Sequence, residues 1–115
     1  MTSTTTIDLA VFETLKESVG ADFIGELIDT FTGDTPKQVA VMRHALAQGD
    51  VEQFRRAAHS VKSTSANFGA MQLSALAKEL EMLAKSGGLD GATEMLARLE
   101  AHYSQVVLDL QQLRV

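Results

Sequence analysis

The sequence contains no cysteine and no tryptophan, and only one proline and one tyrosine occur in its 115 residues. Without cysteine, neither a disulfide framework nor a thiolate metal site is available. No apolar run approaches the roughly 20 residues that a membrane-spanning helix needs. The N-terminus lacks a basic region followed by an apolar one, which is the pattern of a signal peptide. We therefore expect a soluble, cytoplasmic protein with no membrane partner.

Basic residues are scarce as well, since 10 Lys and Arg stand against 15 Asp and Glu and the formal net charge is −5. Positive charge is concentrated only in the short stretch from Arg55 to Lys62. Domains that bind nucleic acid normally carry an extended basic patch or stripe. We therefore do not expect nucleic acid as a partner.

Strand signals are absent, because no run of β-branched and aromatic residues alternates with period two. Ala, Leu, Glu, Gln and Lys dominate instead, which favours helices. Apolar residues recur at spacings of three and four along five segments. The predicted helices cover about 8–18, 21–48, 51–66, 70–85 and 91–113. Asp50 and Asp90 are expected to be the N-caps of the helices that begin at about 51 and 91. Pro36 leaves open whether the segment 21–48 forms one helix or two.

At 115 residues the chain is long enough for one domain and one core. Residues 1–6 are polar and rich in Thr, and we expect them to form a disordered tail before a single domain at 7–115. Short connections make successive helices antiparallel neighbours. The predicted fold is therefore all-α: an antiparallel up-down four-helix bundle, with a short extra N-terminal helix capping one end.

The most informative stretch runs from Arg55 to Ala70. Its helix has an apolar stripe of Val51, Phe54, Ala58, Val61, Ser65 and Phe68. At about 100° per residue, His59 points about 130° away from the centre of this stripe, toward solvent. The side chains within two turns of it are Arg55, Arg56, Lys62, Ser63, Glu52 and Ala66. Imidazole is a good nucleophile near pH 7, and nearby cations stabilise a transferring phosphoryl group. The pattern thus suits phosphoryl transfer, although an ordinary solvated helix face has the same composition.

The residues of this stretch resemble the histidine-containing phosphotransfer (HPt) domain of phosphorelays. The similarity is carried by Ala58-His59-Ser60-Val61-Lys62-Ser63 and Phe68-Gly69-Ala70, followed by Leu73, Leu76, Leu80 and Glu81. Val61 stands where the family more often has Leu, and Ser63 where it more often has Gly; both changes are conservative in shape. The resemblance extends from about Asp22 to Leu113. It implies one long second helix that is sometimes bent, so we favour a bend near Pro36.

The resemblance also implies a function. His59 would accept a phosphoryl group from a receiver-domain aspartate and pass it to another receiver-domain aspartate, while Lys62 and Arg56 would balance the phosphate charge. The partner would dock over Glu52, Arg55, Ser63, Ala66, Asn67 and Gly69. These partners would be receiver domains of a hybrid sensor kinase, of response regulators, or of both, and the protein itself is expected to be a monomer. We expect no cofactor and no ATP site, because the chain has no Gly-rich phosphate-binding loop and Mg²⁺ would belong to the receiver domain.

The competing interpretation is a non-catalytic four-helix-bundle module for interaction or scaffolding. A metal site is disfavoured, because His44 and His102 lack a partner at metal-binding spacing and no Glu-x-x-His pair occurs. A hydrolase is disfavoured, because Ser60 and Ser63 lie near His59 but no carboxylate is placed to orient its ring. Four methionines are expected to fill the core: Met42, Met71, Met82 and Met95.

Overall fold

The computed structural model describes residues 6–114, and the regular structure within this range is entirely helical. The helices are α1 (Leu9–Val19), α2 (Ile24–Gln48), α3 (Val51–Asn67), α4 (Met71–Lys85) and α5 (Ala92–Leu113). The Asp50 carboxylate caps α3 as predicted, accepting a hydrogen bond of 3.0 Å from the Gln53 amide. Asp90 does not cap α5. That helix follows Gly91, which has a positive φ of 84°, and no side chain in the described part of the chain caps it.

Helices α2 to α5 form the bundle. Each packs against the next along the chain, and α5 returns to pack against α2, which closes the four into a ring. Ion pairs between α2 and α5 join Asp29 to Arg114 and Arg43 to Glu100, so the two helices run in opposite directions. Connections of two and three residues reverse the chain on either side of α3. The predicted all-α, up-down four-helix bundle is thus confirmed.

The N-terminal segment covers one end of this bundle. Helix α1 packs against α2 and α3 and buries Phe12 completely. Just before it, the backbone amide of Thr6 donates a hydrogen bond of 2.7 Å to Asp109 on α5. Thr6 is therefore not part of a free tail, which corrects the predicted boundary of that tail at residue 6. The rest of the predicted tail, 1–5, lies outside the described residues.

Helix α2 continues through Pro36 without a break. Proline has no amide hydrogen to donate to the carbonyl oxygen four residues earlier, which here belongs to Thr32. The hydroxyl group of Tyr103 on α5 donates a hydrogen bond of 3.2 Å to that oxygen instead. The Thr32 carbonyl oxygen, which Pro36 leaves without an amide donor, is therefore satisfied by the neighbouring helix α5. The segment that the sequence predicted as either one helix or two is one helix.

The core consists of side chains from all five helices. The largest that are fully buried are Phe12, Ile24, Ile28, Phe31, Met42, Phe54, Leu73, Leu80, Leu96, Leu99 and Leu110. Met42 and Met95 pack in or against this core, but Met71 and Met82 are about half exposed on the outer face of α4, so their predicted burial is wrong. Among the described residues, no helix is both long and apolar enough to cross a bilayer.

Candidate functional site

His59 lies at the middle of α3, on the side of the helix that faces solvent. The inward side of the same helix buries Phe54, Ala58 and Val61, each 1% exposed or less. The His59 side chain is 54% exposed, as its angular distance from the apolar stripe predicts. The ring is therefore open to a second molecule while the helix beneath it is packed into the core.

The ring is held in place by Glu81 of α4. One oxygen of this carboxylate, Oε2, lies 2.8 Å from His59 Nδ1, and the other, Oε1, lies 2.8 Å from Lys62 Nζ. The Glu81 side chain is only 4% exposed. Close to it, Ser74 Oγ donates a hydrogen bond of 2.9 Å to the Lys62 carbonyl oxygen, which ties α3 to α4. The expectation that no carboxylate orients the His59 ring is therefore wrong.

The charge state of Glu81 determines which ring nitrogen is free. Burial by itself raises the pKa of the Glu81 carboxyl, but hydrogen bonds from Lys62 and His59 outweigh this and hold the pKa below its ordinary value of 4.5. The carboxylate is thus ionised near neutral pH and can only accept hydrogen bonds. His59 Nδ1 must be the donor, so a neutral ring carries its proton on Nδ1 and its lone pair on Nε2. The free nitrogen is on the ring edge that is turned away from Glu81.

The sequence pattern of α4 indicates that Glu81 is buried and needs a partner. The buried stripe of α4 includes Ala77, Leu80 and Ala84. Glu81 lies four residues after the first and three before the last, which places it on the same face. A charged residue at a core position needs a partner, because an unpaired buried charge is strongly unfavourable. That conflict between position and charge predicts a buried ion pair, but it cannot name the partner.

The two arginines near His59 are both engaged by Glu52. Arg55 donates through Nε and Nη2 to the two carboxylate oxygens, at 3.0 and 2.6 Å, while Arg56 Nε lies 3.4 Å from Oε2. These contacts, led by the Arg55 hydrogen bond, hold the pKa of Glu52 below its usual range. The hydrogen bond to Glu52 and the charge of Glu52 raise the pKa of Arg55, and the charge of Glu81 adds a smaller effect in the same direction. Arg56 instead lines a groove between α2 and α3, on the other side of His59 from Lys62.

The remaining predicted docking residues fall into two environments. Ser63 and Asn67 are exposed, and the half-buried Ala66 lines an open groove of about 480 Å³ together with Asn67 and side chains of α1. Gly69, the last of the predicted docking residues, is buried and not on the exposed surface around His59. Its φ is +83°, and a Cβ atom there would lie 2.7 Å from the Asp8 carbonyl oxygen. Gly69 therefore permits the N-terminal segment to pack closely on the turn between α3 and α4.

The other histidines do not join this site. His44 is exposed on α2, and His102 is half-buried on α5, where burial lowers its pKa against the opposing effect of Asp109. Within residues 6–114, no group of three or more His, Cys, Asp or Glu side chains is arranged to hold a metal ion. The chemistry of the site is thus that of an exposed imidazole, a buried carboxylate and a lysine.

Comparisons with known proteins bear on the family and the fold of this chain. A family model described as the Hpt domain matches residues 26–113. The phosphorelay protein LuxU of Vibrio vulnificus strain YJ016 is 29% identical to the chain over 87 residues, which cover 75% of this chain and 76% of that protein. The crystal structure of histidine-containing phosphotransfer protein B (HptB) from Pseudomonas aeruginosa PAO1 is similar to the whole fold, with a TM-score of 0.91 and 34% sequence identity. That match covers 97% of this chain and 96% of HptB.

Proposed function

This chain belongs to the Hpt domain family and has the role of a phosphorelay carrier, and we propose that His59 is the residue that carries the phosphoryl group. The observation that supports this assignment is the anchored ring. The buried Glu81 holds Nδ1, so the nucleophilic Nε2 of an exposed imidazole is presented to solvent in a defined orientation. Preorganisation of this kind lowers the barrier to reaction because the nucleophile needs no further ordering.

The donor that we propose is the phosphoaspartate of a receiver domain. The lone pair of His59 Nε2 forms a bond to phosphorus while the bond between phosphorus and the aspartate oxygen breaks, and the aspartate leaves as a carboxylate. The same step in reverse, with a second receiver domain, returns the electron pair to Nε2 and moves the phosphoryl group onward. Mg²⁺ and the acceptor aspartate belong to the receiver domain, and this chain needs no ATP site of its own.

Positive charge near His59 supports this use of the site. Lys62 follows His59 by about one helical turn and its side chain is 28% exposed, so its ammonium group can approach a phosphoryl oxygen. Arg56 is 73% exposed and its guanidinium makes the longer of the two arginine contacts to Glu52, so it can turn toward a bound phosphate. We propose that these two residues balance the phosphate charge, Lys62 from the α4 side and Arg56 from the α2 side.

The receiver domain would dock on the exposed surface of α3 around His59. Any acceptor must bring its aspartate to bonding distance of Nε2, so residues one and two turns away lie under the partner. The proposed contact residues are Glu52, Arg55, Ser63, Ala66 and Asn67. Gly69 is left out of this set because it is buried beneath the N-terminal segment.

The test is a transfer assay with a receiver domain that has been labelled on its aspartate with radioactive phosphate in the presence of Mg²⁺. Label should move to this chain and be stable in base but labile in acid, as a phosphohistidine is. His59→Gln should abolish the transfer and leave the fold intact, because the ring is outside the apolar core and an amide NH2 can replace Nδ1–H as a hydrogen-bond donor to the buried Glu81. His44→Gln, which changes an exposed histidine on α2, is the matched control and should accept label normally.

Two outcomes would contradict the proposal. Retained labelling of His59→Gln would mean that another residue carries the phosphoryl group. Formation of a stable complex with every receiver domain tested, but no label in the wild-type chain, would favour the interaction or scaffold module instead. A melting temperature of His59→Gln within about 2 °C of wild type shows that any loss of transfer is not a loss of fold.

A further inference from the structure

Glu52 is the anion closest in sequence to the two arginines beside His59, and its carboxylate is 57% exposed. Oε1 accepts a hydrogen bond of 3.0 Å from Arg55 Nε, and Oε2 accepts one of 2.6 Å from Arg55 Nη2. Arg56 Nε shares Oε2 at a distance of 3.4 Å. Hydrogen bonding to Arg55 keeps the pKa of Glu52 below its ordinary value of 4.5, so the carboxylate is anionic near neutral pH. One carboxylate therefore holds both arginines, although it does not hold them equally.

Arg55 forms the stronger of these two ion pairs. Its guanidinium meets both carboxylate oxygens in the paired geometry that suits a planar fork, and its side chain is only 30% exposed. Arg56 makes a longer contact, is 73% exposed, and borders an open groove of about 290 Å³ between α2 and α3. Exposed ion pairs are weak, so they exchange partners at little cost. Arg56 is therefore the arginine that can leave Glu52, while Arg55 keeps the carboxylate in place.

Glu52 and His59 lie on opposite sides of Arg56 along α3. Side chains on a helix lean toward its N-terminus, and the Arg56 guanidinium accordingly extends toward Glu52 and away from the ring. His59 follows Arg56 by three residues, and the Cβ atoms of such a pair are about 5–6 Å apart. A long arginine side chain spans that distance in either direction. Glu52 and a phosphoryl group near Nε2 of His59 therefore compete for the same guanidinium.

We propose that Glu52 is a specificity-determining residue, an internal anion that keeps Arg56 away from His59 until a phosphoryl group displaces it. This inference rests on the proposed role of His59. A phosphoryl group has about two negative charges and three acceptor oxygens, so it binds a guanidinium more strongly than a carboxylate does. The bare aspartate of an unphosphorylated receiver domain is a carboxylate like Glu52 and has no such advantage. Arg56 therefore stabilises a complex that contains a phosphoryl group and adds little to a complex of two unphosphorylated proteins.

The first test uses phosphoramidate, a donor too small to need a docking surface. Its P–N bond breaks as Nε2 bonds to phosphorus, and its nitrogen, which already carries three protons, leaves as ammonia. Glu52→Gln should take up the phosphoryl group about two- to fivefold faster than wild type, the range expected for the release of an exposed ion pair. In an Arg56→Ala background the same substitution should have no effect. An equal gain in both backgrounds would show a general effect of charge and would overturn the inference, and so would an unchanged rate of Glu52→Gln.

Glu94→Gln is the matched control for this measurement. Glu52 and Glu94 both lie in the first turn of a helix, and both substitutions remove one negative charge. Glu94 is exposed on α5, which makes no close backbone approach to α3 within the described range. The rate of Glu94→Gln should equal that of wild type. A gain as large as that of Glu52→Gln would overturn the inference, because net charge alone would then explain it.

The second test observes the arginines directly and needs no phosphoryl transfer. Inorganic phosphate is titrated into the unphosphorylated, ¹⁵N-labelled protein while the Nε–H signals are followed. In the wild type, phosphate should move the Arg56 signal and leave the Arg55 signal in place. The dissociation constant read from Arg56 should fall about two- to fivefold in Glu52→Gln.

Three results of this titration would overturn the inference: an Arg56 signal that phosphate does not move, joint movement of both arginines in the wild type, or equal dissociation constants in wild type and Glu52→Gln. If wild type takes up no label at His59 from any donor, the proposed function fails. The titration still decides in that case whether Glu52 competes with phosphate for Arg56.

The third test measures discrimination between the two states of a receiver domain that passes label to the wild type. Its dissociation constant is determined by calorimetry with Mg²⁺ alone and with Mg²⁺ and beryllofluoride, which imitates the phosphoryl group on aspartate. Wild type should bind the loaded receiver domain more tightly than the unloaded one. Glu52→Gln should reduce the ratio of the two constants, because its Arg56 is also free to bind the bare aspartate. An unchanged ratio would overturn the role of Glu52 in specificity.

Discussion

The carboxylate of Glu81 should make a contribution to stability that depends on pH. In Glu81→Gln an amide of the same shape replaces the carboxylate, and only its oxygen can accept a hydrogen bond. One of the two charge-assisted hydrogen bonds from His59 and Lys62 therefore becomes a neutral-acceptor one, and the other is lost because the NH2 group faces a donor. Each such change costs about 1 kcal/mol. Because both partners are partly exposed and can be hydrated again, we expect a total loss of about 1–2 kcal/mol at pH 7. For a domain of this size that corresponds to a fall in Tm of about 4–8 °C.

The sign of the pH dependence follows from the direction of the pKa. The folded-state pKa of Glu81 is below its ordinary value of 4.5, so the contribution is present in full above the unfolded-state pKa. It is lost as the pH falls through the folded-state pKa, because the carboxyl is then protonated in both states. The Tm difference between wild type and Glu81→Gln should therefore be largest near neutral pH and should shrink steadily below about pH 4.5.

Thermal unfolding followed by circular dichroism at several values of pH tests this expectation. Glu79→Gln changes an exposed carboxylate on the same helix and should stay within about 0.5 kcal/mol of wild type throughout. Two results would refute the reasoning. One is a Glu81→Gln protein as stable as wild type at pH 7. The other is a stability difference of the same size at pH 7 and at about pH 3, which would show that shape and not charge is responsible.

Three further substitutions test the docking surface, the phosphate contact and the turn after α3. Ser63→Trp should impair receiver binding in calorimetry because it adds bulk about 6 Å from the His59 Cβ, and Gln105→Trp on α5 should not; equal affinities would move the docking site elsewhere. Lys62→Ala should slow phosphotransfer in stopped flow without abolishing it, by an amount worth about 1–3 kcal/mol, and an unchanged rate would remove it from the mechanism. Gly69→Ala should lower Tm more than Gly49→Ala in thermal unfolding. Both glycines have positive φ, but only a Cβ at residue 69 clashes with the N-terminal segment. Equal losses of Tm would contradict the close packing of that segment on Gly69.

The structure separates Gln105 from the proposed docking surface around Ser63 more clearly than the sequence does. Helix α5 packs against α2 and α4 and makes no close backbone approach to α3 within the described range. Gln105 is exposed there and donates a hydrogen bond to Asp109 of the same helix. A bulky side chain at this position therefore projects from a part of the bundle that the proposed interface does not include.

The local periodicity of the sequence determines the helix faces and the helix starts discussed above. The spacing of Phe54, Ala58 and Val61 defines the inward face of α3, and the outward direction of His59 follows from helix geometry alone. The apolar spacing and the cap at Asp50 placed the beginnings of α1 and α3 within a residue of where the structure has them. These features depend on contacts within a few residues of chain, so a single segment contains the information that sets them.

The tertiary structure alone decided which groups from different helices meet. Glu81 contacts His59 and Lys62 only at one position of α4 along the axis of α3. The local sequence of neither helix determines that position. The same holds for Tyr103, whose hydroxyl group satisfies the carbonyl that Pro36 leaves free, and for the close packing that buries Gly69. Residues 22 or 71 positions apart are brought together by packing of the whole core. The sequence could therefore single out His59 as the proposed nucleophile, while the carboxylate that orients its ring became visible only once the helices were assembled.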